Sequence, residues 1–320
     1  SASSAWFRQF LDDVEPGRRF FITADPGLDL TRVVRPRPQR LLQACTTRRG
    51  TEHVWCTYSR DQDDLNWAEP DVLLAMLAVI DRLVDHGTRF LRLDAVAFLW
   101  KDPDSPSVHL PETHEIVRLL RTLLAVRAPR CVLVTETNVP HAENVSYFGT
   151  GDAAGQEAHM VYNFTLPPLV VDALVHGRSD RLTSWLGELE PPPPGCCFLN
   201  FLASHDGIGL RPADGLLDPG EIRALVEHCA DRGGFSSTHA TPLGPRPYEL
   251  DIALWNLLDG DEPLGLARYL CAHTIMAAVA GIPAVYVGAL LAVPNDRAGA
   301  LASGVKRDVN RGRVDATRLG

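Results

Sequence analysis

Residues 70–94 read PDVLLAMLAVIDRLVDHGTRFLRLD. Pro70 suits the first turn of a helix, and Gly87 suits a left-handed cap at its end. Between them Val72, Leu73, Met76, Val79, Ile80, Leu83 and Val84 recur at helical spacing. Residues 89–94 then read as a short strand. Side chains alternate along a strand, so Leu91 and Leu93 face one way and Phe90, Arg92 and Asp94 the other. A helix followed by a strand with a charged tip is one repeat of a βα pattern, and the pattern recurs downstream.

Ile116, Val117, Leu119, Leu120, Leu123 and Leu124 mark a second helix, and residues 131–135 a β-branched strand ending at Glu136. A short strand near residues 160–163 precedes a helix over 166–176. The prolines at 191–194 form a rigid connector that excludes helix. Residues 197–203 read as a strand leading to His205 and Asp206. A polar excursion covers 207–261, a helix 262–280 and a strand 282–287, and a charged loop runs to the end. Residues 1–69 are polar and weakly periodic, with short apolar pieces at Phe20-Phe21-Ile22 and Val54-Trp55-Cys56. Strands alternating with helices imply parallel βαβ units. About five strand signals are present, against the eight of a closed (β/α)8 barrel.

The 320 residues are 45% hydrophobic and 22% charged, the balance of an ordinary globular protein. The formal charge of -9 repels phosphate backbones, so nucleic acid is not an expected partner. No apolar run reaches the ~20 residues that span a bilayer, and no secretory signal opens the chain. A membrane is therefore not an expected partner either. The 7 cysteines are irregularly spaced without a C-x-x-C pair, which argues against a zinc site or disulfide framework and fits a reducing cytoplasm. No metal and no cofactor are expected: Asp and His do not cluster at ligand spacing, and no G-x-G-x-x-G follows a strand. Nothing in the sequence addresses oligomeric state.

Asp94, Glu136 and Asp206 each end a strand. Taken singly, an acid there often caps the next helix or pairs with an arginine, and His205 reads equally well as a satisfied core histidine. Three strand ends bearing acids are harder to explain that way, because barrel enzymes carry their sites on that rim. A nearby Arg92 favours an ionised Asp94, and a buried strand end favours a protonated Glu136. Retaining glycosidases use such a pair, with carboxyls about 5–5.5 Å apart. A third carboxylate can stabilise the positively charged transition state.

Arg92-Leu93-Asp94-Ala95, Glu136-Thr137-Asn138 and Ser204-His205-Asp206-Gly207 resemble three conserved regions of the α-amylase superfamily, glycoside hydrolase family 13. The run from Arg92 to Lys101, with residues 109–114, 160–164 and Asn310-Arg311, is similar to the sucrose phosphorylase branch, closest to its glucosylglycerate phosphorylase-like members. The resemblance implies Asp94 as nucleophile, Glu136 as acid/base and Asp206 as transition-state stabiliser, with Arg92, His205 and Arg311 binding the glucosyl unit. It implies glucosyl transfer from an α-glucoside of the sucrose or glucosylglycerate type to inorganic phosphate as co-substrate. Arg211, Lys306 and Arg307 are the cations available to phosphate. A hydrolase or transglycosylase on the same barrel, and an inactive remnant that only binds saccharide, are the alternatives. Asp61-Gln62 with Asp64-Leu65-Asn66 resembles a family segment expected to be structural.

The early Asp-x-x-x-Asn-His segment of that family has no match here, and the chain opens on Ser1 rather than Met. The expectation is therefore an α/β chain holding an incomplete TIM barrel, about the last five strands plus part of an inserted excursion domain. Residues 1–69 would be the remainder of that excursion domain and 70–320 the C-terminal part of the barrel. Such a piece is expected to be truncated at both ends and nearly inactive by itself.

Overall fold

The computed structural model describes residues 3–37, 39–241, 244–315 and 317. The chain divides into two compact units, Ser1–Leu133 with His239–Gly244, and Val134–Thr238 with Pro245–Gly320. The line drawn from composition at residue 69 falls inside the first unit.

In the first unit, helix α1 (Ala5–Leu11) lays Phe7 and Phe10 against Phe20, Phe21, Val54 and Val72. Phe7 and Phe21 meet edge to face, with ring centroids 5.2 Å apart. Strands β1 (Leu42–Thr47) and β2 (Gly50–Trp55) form an antiparallel hairpin, so this region is more ordered than its weak periodicity suggests. Gly50, at φ 122, occupies a turn conformation that a side chain would strain. Helix α2 (Pro70–Asp85) begins at Pro70 as expected, and Gly87 follows at φ 92. It buries Val72 and Val84 and leaves Leu74, Val79 and Leu83 exposed. Strand β3 (Phe90–Leu93) buries Leu91, and helix α3 (Pro111–Arg127) buries Ile116, Val117, Leu120 and Leu124.

Strand β4 (Val132–Thr135) straddles the division, and its first residues belong to the first unit, where the Val132 N–H donates to the Arg89 carbonyl at 2.7 Å. The second unit continues through α4 (His141–Val145), β5 (Met160–Tyr162), α5 (Leu166–His176), α6 (Asp180–Glu188) and β6 (Cys197–Asn200). Then come β7 (Ile208–Gly209), α7 (Pro219–Asp231), β8 (Phe235–Thr241) and β9 (Gly244–Asp251), except that the end of β8 from His239 and the first residue of β9, Gly244, fall in the first unit. Helices α8 (Leu254–Leu257) and α9 (Gly265–Ala278), strand β10 (Ile282–Pro283) and helices α10 (Val287–Leu290) and α11 (Arg297–Ser303) end it.

Strands β4, β5, β6 and β10 lie side by side and parallel, with Val134 opposite Met160, Met160 opposite Cys197 and Leu199 opposite Ile282. With β3 these are the five βα strands that the sequence announces. The last is shorter than expected: the bonds to β6 end with the Ala284 N–H on the Asn200 carbonyl at 2.7 Å, and Tyr286 already caps α10. The core gathers Leu166, Leu169, Val170 and Val171 of α5 with Leu225 of α7 and Leu250 of β9. Each such side chain contributes about 1.5–3 kcal/mol by leaving water. The segment read as a polar excursion therefore holds core residues, in α7 and in the sheet of order β7-β9-β8.

Candidate active site

In the first unit, Arg92 Nη1 donates to Asp94 Oδ1 at 2.5 Å. Ala95 follows at φ 50, which turns the chain out of β3 and leaves Asp94 at the strand tip. Side-chain alternation is as expected, but the face carrying Phe90, Arg92 and Asp94 is open rather than enclosed. The Asp94 side chain is 69% exposed and Phe90 61%. So exposed an ion pair contributes at most about 1 kcal/mol to stability, and its use is orientation.

The same unit holds a buried cation, Lys101, which ends the motif quoted from Arg92 but drew no role of its own. The Lys101 side chain is 2% exposed and its Nζ lies 3.4 Å from Asp64 Oδ1. It also donates to the Phe98 carbonyl. Burial pushes the Lys101 ammonium below its ordinary value, with Asp64 opposing. Asp64 Oδ2 accepts the Thr57 N–H at 2.7 Å, and the Asn66 N–H donates to the Phe20 carbonyl at 2.8 Å. Segment 61–66 is thus bonded, within this unit, to the exit of β2 and to the turn after β3.

In the second unit, Glu136 directly follows β4 and is half-buried. The turn that carries it is pinned from α4. Thr137 Oγ1 donates to Asn144 Oδ1 at 2.5 Å, and Asn144 Nδ2 donates to the Tyr162 carbonyl at 2.7 Å. Asn138 lies against Gly209, where an added Cβ would come within 2.3 Å of Asn138 Oδ1.

Asp206 stands in the loop after β6, whose backbone is held by several side-chain bonds. Its own N–H donates to Ser204 Oγ at 3.1 Å, Asn310 Nδ2 donates to its carbonyl at 2.7 Å, and Arg311 Nε donates to the His205 carbonyl at 2.7 Å. Two guanidinium groups face the side chain, Arg307 Nη1 at 2.5 Å and Arg311 Nη2 at 3.5 Å from Oδ1. His205 Nε2 is 3.6 Å from Oδ2. Arg307 turns its other edge to Glu249 of β9, with Nε 2.9 Å from Oε2 and Nη2 3.0 Å from Oε1. The Glu249 side chain is 1% exposed. Burial pushes its carboxyl up to about 7, with Asp251 and Asp206 adding to the rise and Arg307 opposing it.

The remaining expected cations lie nearby in sequence. Arg211 opens the short turn Arg211–Ala213 after β7, and Lys306 Nζ donates to the Ser236 carbonyl at 2.7 Å. Among the described residues, no three His, Cys, Asp or Glu side chains gather as a metal ion would need, and no helix is long and apolar enough to cross a membrane.

Glu249 was missed for a physical reason. It alternates with Tyr248, Leu250 and Ile252, and Glu249-x-Asp251 reads as the solvated face of a strand. Both acids are in fact buried. Asn144 carried no signal, since an Asn within a short polar helix reads as surface. Asn310 lay inside a quoted motif, yet only its neighbour Arg311 drew a role.

Asp94, Glu136 and Asp206 therefore each follow the C-terminal end of their own strand, β3, β4 and β6. The family model of the alpha amylase catalytic domain matches residues 1–183. Glucosylglycerate phosphorylase of Allomeiothermus silvanus is 45% identical over 324 residues, which cover 100% of this chain and 58% of that protein. Sucrose phosphorylase of Agrobacterium vitis is 30% identical over 333 residues, covering 97% of this chain and 64% of that protein. The chain thus spans less than two thirds of either relative. Among solved structures, sucrose 6F-phosphate phosphorylase from Thermoanaerobacter thermosaccharolyticum superposes with a TM-score of 0.85 over 100% of this chain and 66% of its own, at 23% identity. That likeness establishes the fold, a (β/α) barrel that is incomplete in the described residues.

Proposed function

The chain belongs to the α-amylase family, and from that premise we propose that it serves glucosyl transfer from an α-glucoside to inorganic phosphate, with retention at the anomeric carbon. The likeness along the whole chain to glucosylglycerate phosphorylase carries this reading. A glucoside of glycerate is accordingly the first donor to try, and sucrose the second. Residues 1–69 belong, in this reading, to the inserted excursion domain and 70–320 to the barrel.

Asp94 attacks the anomeric carbon while Glu136 protonates the departing oxygen, which gives a glucosyl ester on Asp94 and a free aglycone. Phosphate then attacks the same carbon from the vacated face, giving its proton back to Glu136, and Asp94 leaves as carboxylate. The product is α-glucose 1-phosphate, with two inversions summing to retention. Asp206, held by the Ser204, Asn310 and Arg307 bonds, faces the positive charge that develops in both steps. Arg92, His205 and Arg311 line the glucosyl unit. Both edges of Arg307 are already bonded within the protein, to Asp206 and to Glu249. That leaves Arg211 and Lys306 as the phosphate's cations.

The test supplies glucosylglycerate or sucrose, with and without phosphate, to this chain and to its complete reading frame, with Asp94→Asn as control. Phosphate-dependent α-glucose 1-phosphate that vanishes in the variant is the expected result. Free glucose at equal rates with and without phosphate would mean a hydrolase. No turnover from any donor, with saccharide binding intact, would favour a binding role.

A further inference from the structure

We infer that Glu249 is a positioning residue for Asp206, acting through Arg307. The inference rests on the transition-state role proposed above for Asp206. Glu249 is buried on β9, so it has no access to substrate and acts only through what it touches. A guanidinium is a rigid planar fork. Once the Nε and Nη2 edge is bound in two-point fashion at 2.9 and 3.0 Å, the direction of Nη1 is set. That nitrogen points at Asp206 Oδ1, 2.5 Å away.

Glu249 is itself held. It pairs with Gly209 across the β7–β9 ladder. The residue next to Asp206 is shaped around it, since a Cβ on Gly207 would lie 2.5 Å from Glu249 Cγ and 2.4 Å from the Leu250 carbonyl oxygen. Without Glu249 the arginine would have one carboxylate partner in place of two, and a long flexible side chain.

The arrangement also makes the grip depend on a proton. The charged groups facing Glu249 are Arg307 from the turn Lys306–Asn310, Asp206 from the loop after β6, and Asp251 two residues along its own strand. Asp251 accepts the Ser237 hydroxyl at 2.7 Å. Burial holds the Glu249 proton up to about 7. Above that pH a carboxylate accepts both guanidinium bonds. Below it a carboxylic acid O–H points at N–H donors and the two-point hold is lost.

The test follows the Asp206 carboxyl carbon by 13C NMR on the full-length protein from pH 5 to 9, assigning it by its loss in Asp206→Asn. Its resonance is expected to move with a midpoint near 7, to lose that movement in Glu249→Gln, and to keep a shifted one in Glu249→Asp, which retains the charge. A flat Asp206 resonance in the wild type overturns the proposal whether or not the protein turns over. An intact coupling in a protein without turnover sinks the functional reading and upholds the positioning. In active protein, Glu249→Gln should lower kcat about tenfold with KM within about twofold, and abolish the fall in kcat below neutrality. Aspartate should restore part of kcat. Equal kcat and identical pH profiles for wild type and Glu249→Gln overturn the proposal.

Discussion

Removing either partner of the Lys101–Asp64 pair should have unequal effects, because the two ends are unequally buried. Lys101 is 2% exposed and Asp64 21%. Asp64→Asn keeps an acceptor for the Thr57 N–H but strips the buried ammonium of its counter-charge. Loss of one partner of a buried pair costs about 3–5 kcal/mol. Some solvent reaches Asp64, so the lower end, about 3 kcal/mol, applies. Lys101→Met removes the cation instead. Asp64 then still accepts the Thr57 bond and reaches water, so the cost is about 1 kcal/mol. In the double variant no charge is stranded, and its loss should be close to that of Lys101→Met alone, a coupling of about 2–3 kcal/mol. The sign of the pH response follows from burial. Lys101 already sits below its ordinary value, and without Asp64 it falls further. The unfolded chain then holds a proton that the folded chain lacks, so the deficit of Asp64→Asn should shrink as pH rises. Urea unfolding followed through Trp55, Trp67 and Trp100 measures all three variants. Asp64→Asn costing no more than Lys101→Met, or costs that simply add, would refute the reasoning.

Asn144→Ala should cost about 2–4 kcal/mol, because the Thr137 hydroxyl and Tyr162 carbonyl lose partners in a buried place; a loss under about 1 kcal/mol in chemical denaturation would contradict this. Gly207→Ala should cost about 1–3 kcal/mol by overpacking, with its Cβ 2.4 Å from the Leu250 carbonyl oxygen; unchanged melting would show that β9 yields freely. Glu249→Gln should change the pH dependence of stability. The folded chain keeps this proton from the ordinary 4.5 up to about 7, so wild-type stability from this group falls as pH rises through that window. The fall amounts to about 3 kcal/mol, and Gln abolishes it; parallel stability curves for the two proteins between pH 4 and 8 would contradict the assignment.

The elements that were legible carry their own boundary signals. Helix α5 agrees with its expected span because prolines open it and Gly177, at φ 66, closes it. Helix α2 behaves likewise between Pro70 and Gly87. The region 207–261 was harder, although Asp218 and Glu221 form a capping box that announces α7. Strand β7 is two residues long and exists only because Leu250 and Glu249 lie opposite Ile208 and Gly209. No local window encodes such a strand, since its hydrogen bonds come from residues some forty positions away.

The site divides along the same line. The three acids were legible because strand ends are local features, and a charge following a β-branched run is visible to any reader. Their surroundings are long-range. Arg307 reaches Asp206 and Glu249 from a distant turn, and Asn310 holds the backbone of Asp206 from the same turn. An arginine read alone looks like a free cation fit for phosphate. The same arginine is bonded at both edges, to Asp206 and to Glu249. Its contribution is then direction, since the planar fork converts the place of a buried glutamate into the place of a solvent-facing aspartate. Phosphate specificity is accordingly sought first in cations that pair with no carboxylate among the described residues, and substituting Lys306, whose Nζ meets only a backbone carbonyl there, should alter the KM for phosphate before it alters the KM for the glucoside.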